Sequence, residues 1–401
     1  MSSTSEFISH ILKYASCFFK FERLILLAIK SNHYKNTIAI TGSSGKTTTK
    51  EMLAAILKTR WRIIKTPGNS NLIKHTRHIA AARKPYHRAL IAELGIAGYR
   101  QVKKHCRYIK PDIGIITNIG TAHIGNFGGQ ITAIARTKGE LIDCLNPNGL
   151  LIINGDDPNS RLLPIDRFKG KVVRVGLTRR LDYYAYNIDD TGGGLIFSID
   201  IRGKQERFFL PTVGRHNIYN ALYAIVVADY LGFSADHIRK GLHRYRRPRS
   251  RLIVHVLKND IRIIDDSYSS NPSAAKVAID VLDSLPGDKK IAVLGSMLEM
   301  GKYSATGHAE VGQYLAAKKV DFLITYGEAA RQIGKGAIAS GFPAPKVTHV
   351  SSLKALRGRL IPLIEPRTTI LLKASHKLNL HYLCRYLIKR YKKKKPIITT
   401  Y

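Results

Sequence analysis

The run Ile38-Ala39-Ile40-Thr41-Gly42-Ser43-Ser44-Gly45-Lys46-Thr47-Thr48 joins a β-type apolar stretch to a glycine-rich turn, and helix-compatible residues follow over 50–58. That order confines the local fold to a strand, an anion-sized loop and a helix. Glycines let the backbone close on a phosphate, successive N–H groups point at it, and the helix N-terminus adds its dipole. In such a loop Lys46 reaches the terminal phosphates and the Thr47 hydroxyl helps to hold Mg²⁺. The residues Thr41, Gly42, Ser43, Ser44, Gly45, Lys46, Thr47 and Thr48 are therefore the expected nucleotide-binding set. The loop reads Gly-x-x-Gly-Lys-Thr, two residues shorter than the general P-loop pattern.

Around this loop, apolar strands alternate with helical segments. Strands are expected at 37–41, 89–94, 113–118 and 150–154, with helical periodicity at 50–58 and 130–145. This is the βαβ signature of a parallel sheet wrapped by helices. Over 172–211 short strands at 172–175, 183–187, 195–201 and 206–210, split by glycine turns, read as a small antiparallel insertion. Helices at 217–231 and 234–242 precede the basic linker Arg244-Tyr245-Arg246-Arg247-Pro248. The rhythm then restarts, with strands at 261–265, 290–294, 322–325 and 369–372 and helices at 273–282, 308–317 and 382–389. The fold class is α/β: a P-loop-type, mainly parallel central domain with a small antiparallel insertion, then a second, Rossmann-like α/β domain. The expected divisions are an amphipathic helical segment over 1–35, an ATP-binding domain over 36–247 and a C-terminal domain with a basic tail over 248–401.

Lys and Arg number 65 against 28 Asp and Glu, a formal net charge of +37, so the chain works among polyanions or acidic substrates. The excess is spread along the chain, with one dense run at Lys392-Lys393-Lys394-Lys395, which argues against a dedicated nucleic-acid arm. The four cysteines, Cys17, Cys106, Cys144 and Cys384, form no Cys-x-x-Cys pair. They point to a reducing, cytoplasmic compartment rather than to a disulfide framework or a zinc site. No apolar run is long enough to span a bilayer, and the N-terminal segment reads as a helix lying on the protein or on an anionic membrane surface.

Other constellations cluster at the predicted strand ends. Glu93 closes one strand, and His123 follows the turn after another, so a carboxylate and an imidazole can converge on the phosphate site beside Mg²⁺. Lys138 sits in a helical segment where, on its own, a solvated lysine is the ordinary reading. In the second domain, Asp265-Asp266-Ser267-Tyr268-Ser269-Ser270-Asn271-Pro272 follows an apolar strand as a polar turn, presenting acceptors, a ring and an amide.

Taken together, residues 41–50, Glu93-Leu94-Gly95, 117–123, Arg136-Thr137-Lys138-Gly139-Glu140, Gly214-Arg215-His216-Asn217-Ile218-Tyr219-Asn220-Ala221 and 265–272 resemble the Mur ligases in kind and order. Residues 294–301 with His308 add a C-terminal signature, and the likeness covers roughly residues 36–390. The Asp-Asp-Ser-Tyr and Met-Leu-Glu-Met-Gly elements are most similar to the members that add D-alanyl-D-alanine to peptidoglycan precursors.

The resemblance implies an ATP-dependent carboxylate–amine ligase acting through an acyl phosphate, in which positioning and charge neutralisation dominate. It implies that Lys46 stabilises the transferring phosphate and that Thr47, Glu93 and His123 serve Mg²⁺. Lys138 matches a lysine carbamylated by CO₂, which converts a cation into a metal-ligating anion. Asn217 and Asn220 match positions near the adenine, and Arg251, Asp266, Tyr268 and Asn271 match positions that complete the nucleotide site on closure. The implied partners are an anionic carboxylate substrate and an amino acid or dipeptide amine.

Some positions depart from the family pattern. Leu72 replaces the last amide of Gly-Asn-x-Asn-Asn, Ser250 the glycine of Gly-Arg-Leu, Ser296 an acidic residue, and Ala374 the glycine of Lys-Gly-Ser. The loop begins only about forty residues in, so the usual UDP-sugar-binding domain is not expected and a partner is the expected supplier of that surface. Two alternatives therefore stand beside the cell-wall reading: a ligase for a different acidic acceptor (peptide, polymer or cofactor acid), and a non-catalytic ATP-binding scaffold at an anionic surface.

Overall fold

A computed structural model describes residues 36–392 apart from Gly192 and Arg249. The expected N-terminal amphipathic helix and most of the basic tail lie outside the described residues. Strands β1 (Thr37–Thr41), β2 (Ile63–Lys65), β3 (Ala89–Glu93), β4 (Ile113–Ile116), β5 (Leu150–Asn154), β6 (Lys171–Gly176) and β7 (Tyr183–Tyr184) form one sheet in the order β2-β3-β1-β4-β5-β6-β7. All its pairings are parallel. Ile38, Ala39 and Ile40 are fully buried, because helices cover both faces of such a sheet and every side chain along the strand must be apolar.

The insertion is smaller than the sequence suggested. Strand β6 pairs in parallel with β5, and β7 with β6, so both belong to the large sheet. Only β8 (Tyr186–Asp190), β9 (Leu195–Ile201) and β10 (Lys204–Leu210) form the antiparallel sheet. Short, turn-punctuated strands carry the same local signal in either sheet, and neighbours reached through 3₁₀ turns at Pro158–Leu162 and Ile165–Arg167 decide the pairing. The helix His216–Tyr230 is apolar on almost every side, and it is buried in one cluster with the Lys46–Leu57 helix and with Phe197 and Phe208 of the small sheet.

The second unit holds β11 (Ile253–Val256), β12 (Arg262–Asp266), β13 (Lys289–Gly295), β14 (Phe322–Tyr326), β15 (Val347–Val350) and β16 (Thr368–Lys373) in the order β11-β12-β16-β13-β14-β15. Only β11 runs antiparallel. The edge strands β2, β11 and β15, three or four residues each, are additions to the sequence reading. They are too short to declare a period. One apolar cluster is continuous across the two units, joining Phe127 and Val213 to Ile279 and Met300. Among the described residues, no helix is long and apolar enough to cross a membrane.

Candidate active site

The carboxyl ends of β1, β3 and β4 face those of β12 and β16 across a cavity of about 750 Å³. Its floor is the glycine loop. Gly45 takes φ +82°, and a Cβ there would stand 2.3 Å from Asn220 Oδ1, so only glycine lets the loop pass under that amide. Gly45 is also the N-cap of the Lys46–Leu57 helix, and no side chain caps it. The first-turn N–H groups therefore face the cavity with a positive dipole end. Lys46 Nζ folds back onto Gly42 O at 2.6 Å. Burial is the main cause that lowers the Lys46 pKa to about 8; Glu93 opposes it and Arg251 adds to it.

Beside the loop, Thr47 Oγ1 donates to Glu93 Oε1 at 3.0 Å, and Asn71 Nδ2 donates to the same oxygen at 3.2 Å. Lys50 Nζ holds Glu93 Oε2 at 3.1 Å and also donates to Gly68 O. Lys50 is fully buried and was missed by the sequence reading, since a lysine one turn into a helix carries no motif of its own. His123 takes the left-handed conformation, φ +61°, and its Nδ1 contacts Glu299 Oε2 of the second unit. Burial first, then the Lys46 cation, lower the His123 pKa against the pull of Glu299.

Lys138 lies outside the cavity lining, with 1% of its surface exposed. Its charge is felt at His123, and desolvation followed by the Lys46 cation puts its pKa well below 10.5. Both effects disfavour the ammonium and so favour an amine with a free lone pair, which is what attack on CO₂ needs.

The far wall differs in detail from expectation. Thr41 and Gly42 lie under the loop, away from the lining, with Thr41 Oγ1 bonded to Leu94 O at 3.2 Å. Ser43, Ser44, Lys46, Thr47 and Thr48 line the cavity, together with Asn217 and Asn220. Asn220 Nδ2 donates to Asn217 Oδ1 at 3.0 Å, and Asn217 donates to Val213 O at 2.8 Å, so this amide pair is already braced. Arg251 lies 4.6 Å over the Tyr268 ring, and its buried Nε has no hydrogen-bond partner among the described residues. Asp266 accepts from Lys373 Nζ at 2.5 Å and from Leu252 N at 3.2 Å. Asn271 lines the cavity, but its Oδ1 accepts from Ala274 N at 3.0 Å and caps the Pro272–Ser284 helix. His308 lies outside the lining and holds the loop after β13 through Met297 N at 2.8 Å.

An uncapped helix start, a glycine cradle and an orphaned arginine N–H suit a nucleotide polyphosphate. The hydroxyl–carboxylate pair of Thr47 and Glu93 suits a hard dication that keeps several waters. Fold and site together define a P-loop α/β protein in which the glycine loop and a second α/β unit line one cavity.

Residues 40–228 match the Mur ligase middle domain, and residues 249–376 match the Mur ligase, glutamate ligase domain. The UDP-N-acetylmuramoyl-tripeptide–D-alanyl-D-alanine ligase of Bacillus subtilis is 33% identical over 352 residues, covering 88% of this chain and 75% of that protein. Its Escherichia coli counterpart is 31% identical, covering 80% and 70%. A crystal structure of MurF from Acinetobacter baumannii superposes with a TM-score of 0.84 at 28% identity, covering 92% of this chain and 80% of that one. The chain belongs to the Mur ligase family and is an ATP-dependent ligase of the acid–amino-acid type.

Proposed function

We propose that this ligase joins D-alanyl-D-alanine to the terminal carboxylate of a UDP-N-acetylmuramoyl-tripeptide in the cytoplasm, the reaction named for its relatives. The observation that carries the reading is one shared locus. Lys46, Glu93 and His123 from the first unit meet Arg251, Asp266 and Tyr268 from the second around one cavity, with the buried Lys138 within electrostatic reach of His123 and Lys46. We take residues 36–247 as the nucleotide-binding domain and 248–401 as the domain that closes on it.

ATP with Mg²⁺ would supply the phosphoryl group that activates the carboxylate for attack by the amine. Thr47 and Glu93 would hold the ion, with His123 nearby, and Lys138 as a carbamate would add an anion in place of a repelling cation. Carbamate formation balances simply: the Lys138 amine lone pair forms an N–C bond to CO₂ and one N–H proton leaves. Lys46 and Arg251 would place positive charge where the transferring phosphoryl group develops negative charge. Asn217 and Asn220 would sit by the base, and the Tyr268 ring would hold the Arg251 guanidinium in plane.

The experiment is ADP release by the purified protein with UDP-N-acetylmuramoyl-tripeptide and a panel of other carboxylates, each with and without D-alanyl-D-alanine. Dipeptide-dependent release with the muramoyl tripeptide is expected. Release with another acid alone replaces the substrate while keeping the ligase, and no release with any pair removes the catalytic reading.

A further inference from the structure

We propose that the second unit carries a transition-metal site, of the kind that takes Zn²⁺, built from His255, Asp265 and Cys384. One ligand atom from each of these side chains lies within 4.8 Å of the other two. They come from three elements: His255 from β11, Asp265 from β12 and Cys384 from the Leu380–Arg390 helix. Imidazole, carboxylate and thiolate together form the donor set of a borderline-soft dication, whereas Mg²⁺ and Ca²⁺ take oxygen. Ligands about 2.0–2.3 Å from a tetrahedral centre stand roughly 3.3–3.8 Å apart. The observed spread therefore closes with about 1 Å of side-chain movement.

The surroundings are built for a fixed ligand. Asp265 and Cys384 are buried, at 7% and 2% exposure. Ser267 Oγ donates to Asp265 Oδ1 at 2.6 Å, and Ser250 Oγ donates to Oδ2 at 2.9 Å, so the carboxylate orientation is set from outside the cluster. Second-shell bonds of this kind orient metal ligands in general. Independently, His381 lies one turn before Cys384 on the same helix, within reach of the Asp265 charge. Its buried Nδ1 has no hydrogen-bond partner among the described residues. That nitrogen is not one of the three clustered ligand atoms, so a water supplies the fourth position of a tetrahedral site.

None of the four residues lines the nucleotide cavity, so the site is separate from the Mg²⁺ position. On binding, Cys384 Sγ gives its proton to solvent and forms the metal–sulfur bond, with no change of oxidation state.

Co²⁺ titration of the full-length, metal-stripped protein tests this, because a thiolate–cobalt bond gives a near-ultraviolet charge-transfer band that oxygen ligands cannot give. The lining of the nucleotide cavity contains no cysteine, so Co²⁺ bound there is silent in that band. We expect one equivalent of Co²⁺ to raise the band and Zn²⁺ to bleach it. Cys384→Ser should abolish it, His255→Ala should weaken Co²⁺ binding by at least about tenfold, and Cys106→Ser should leave it unchanged. No band at stoichiometric Co²⁺ in the unaltered protein overturns the site, and so does a band that survives Cys384→Ser. If Cys384→Ser loses its folded circular dichroism spectrum, His255→Ala on the edge strand decides: unchanged affinity there overturns the site equally.

Discussion

Lys46 and Lys138 are two buried amines whose ammonium forms burial disfavours, and the Lys46 cation lowers the Lys138 pKa further. The Lys46 pKa of about 8 lies below its ordinary 10.5 because burial penalises the ammonium. Between those values the unfolded chain binds more protons than the folded one, so this residue makes folding more favourable as pH rises from about 8 to about 10.5. Nucleotide capture is expected to move the other way, because the free enzyme would lose the cation proposed to meet the phosphates. We predict that kcat/KM for ATP falls as pH rises through about 8; a flat profile to pH 9.5 would remove Lys46 charge from capture. Lys46→Ala should lower kcat by at least about 10³-fold while the circular dichroism spectrum stays unchanged. For Lys138 the neutral amine is the expected CO₂ acceptor. A carbamate carbon signal should appear with ¹³C-labelled bicarbonate, and Lys138→Ala should regain part of its activity with added small carboxylates. An active, CO₂-replete enzyme carrying a plain amine would contradict this.

Helices carry these side chains into place, and their packing is tight enough to test. Gly241 of the Ala235–His243 helix lies against the Lys46–Leu57 helix, where a Cβ would stand 2.3 Å from Ile56 Cα. Backbone cannot yield as a flexible side chain does, so Gly241→Ala should cost about 1–3 kcal/mol, read as a lowered urea midpoint. The Pro272–Ser284 helix offers a separation of roles. Asn271→Ala should cost about 1 kcal/mol by removing the N-cap, and Asn271→Ser should restore it. If the side chain serves only as a cap, Asn271→Ser also keeps full ligase activity; a stable but slow Asn271→Ser enzyme assigns the amide to the nucleotide as well.

At the scale of the whole molecule, the two units meet through backbone. Gly125 N donates to Glu299 O at 3.1 Å, and a Cβ on Gly125 would come within 2.4 Å of Gly301 N. The His123–Glu299 contact lies in the same seam. Gly125→Ala should therefore hold the loops apart and misplace Arg251 and Tyr268 relative to the glycine loop. A displacement of about 1 Å near reacting groups costs on the order of 10² in rate. We expect that loss in kcat/KM for ATP, read by steady-state ADP release at subsaturating ATP. Normal turnover in Gly125→Ala would show that this approach is dispensable.

The sequence by itself determined the glycine loop, the alternation of buried strands and helices, and the order of motifs that marks the family. Each of these is local: Ile38–Ala39–Ile40 must be buried on both faces, and Gly45 must precede a helix whose first N–H groups are free. Strand partnership was not local, which is why β6 and β7 read as insertion strands until their parallel neighbour β5 was in place. Roles resting on long-range contact stayed hidden for the same reason. Lys50 becomes a brace for Glu93 only across 43 residues, and Glu299 reaches His123 across 176. Cys106 and Cys144, distant in sequence, share a hydrogen bond, and His255, Asp265 and Cys384 converge from a strand pair and the Leu380–Arg390 helix. Hydrogen bonds and desolvation act over a few ångströms, so only the tertiary structure decided which side chains stand that close.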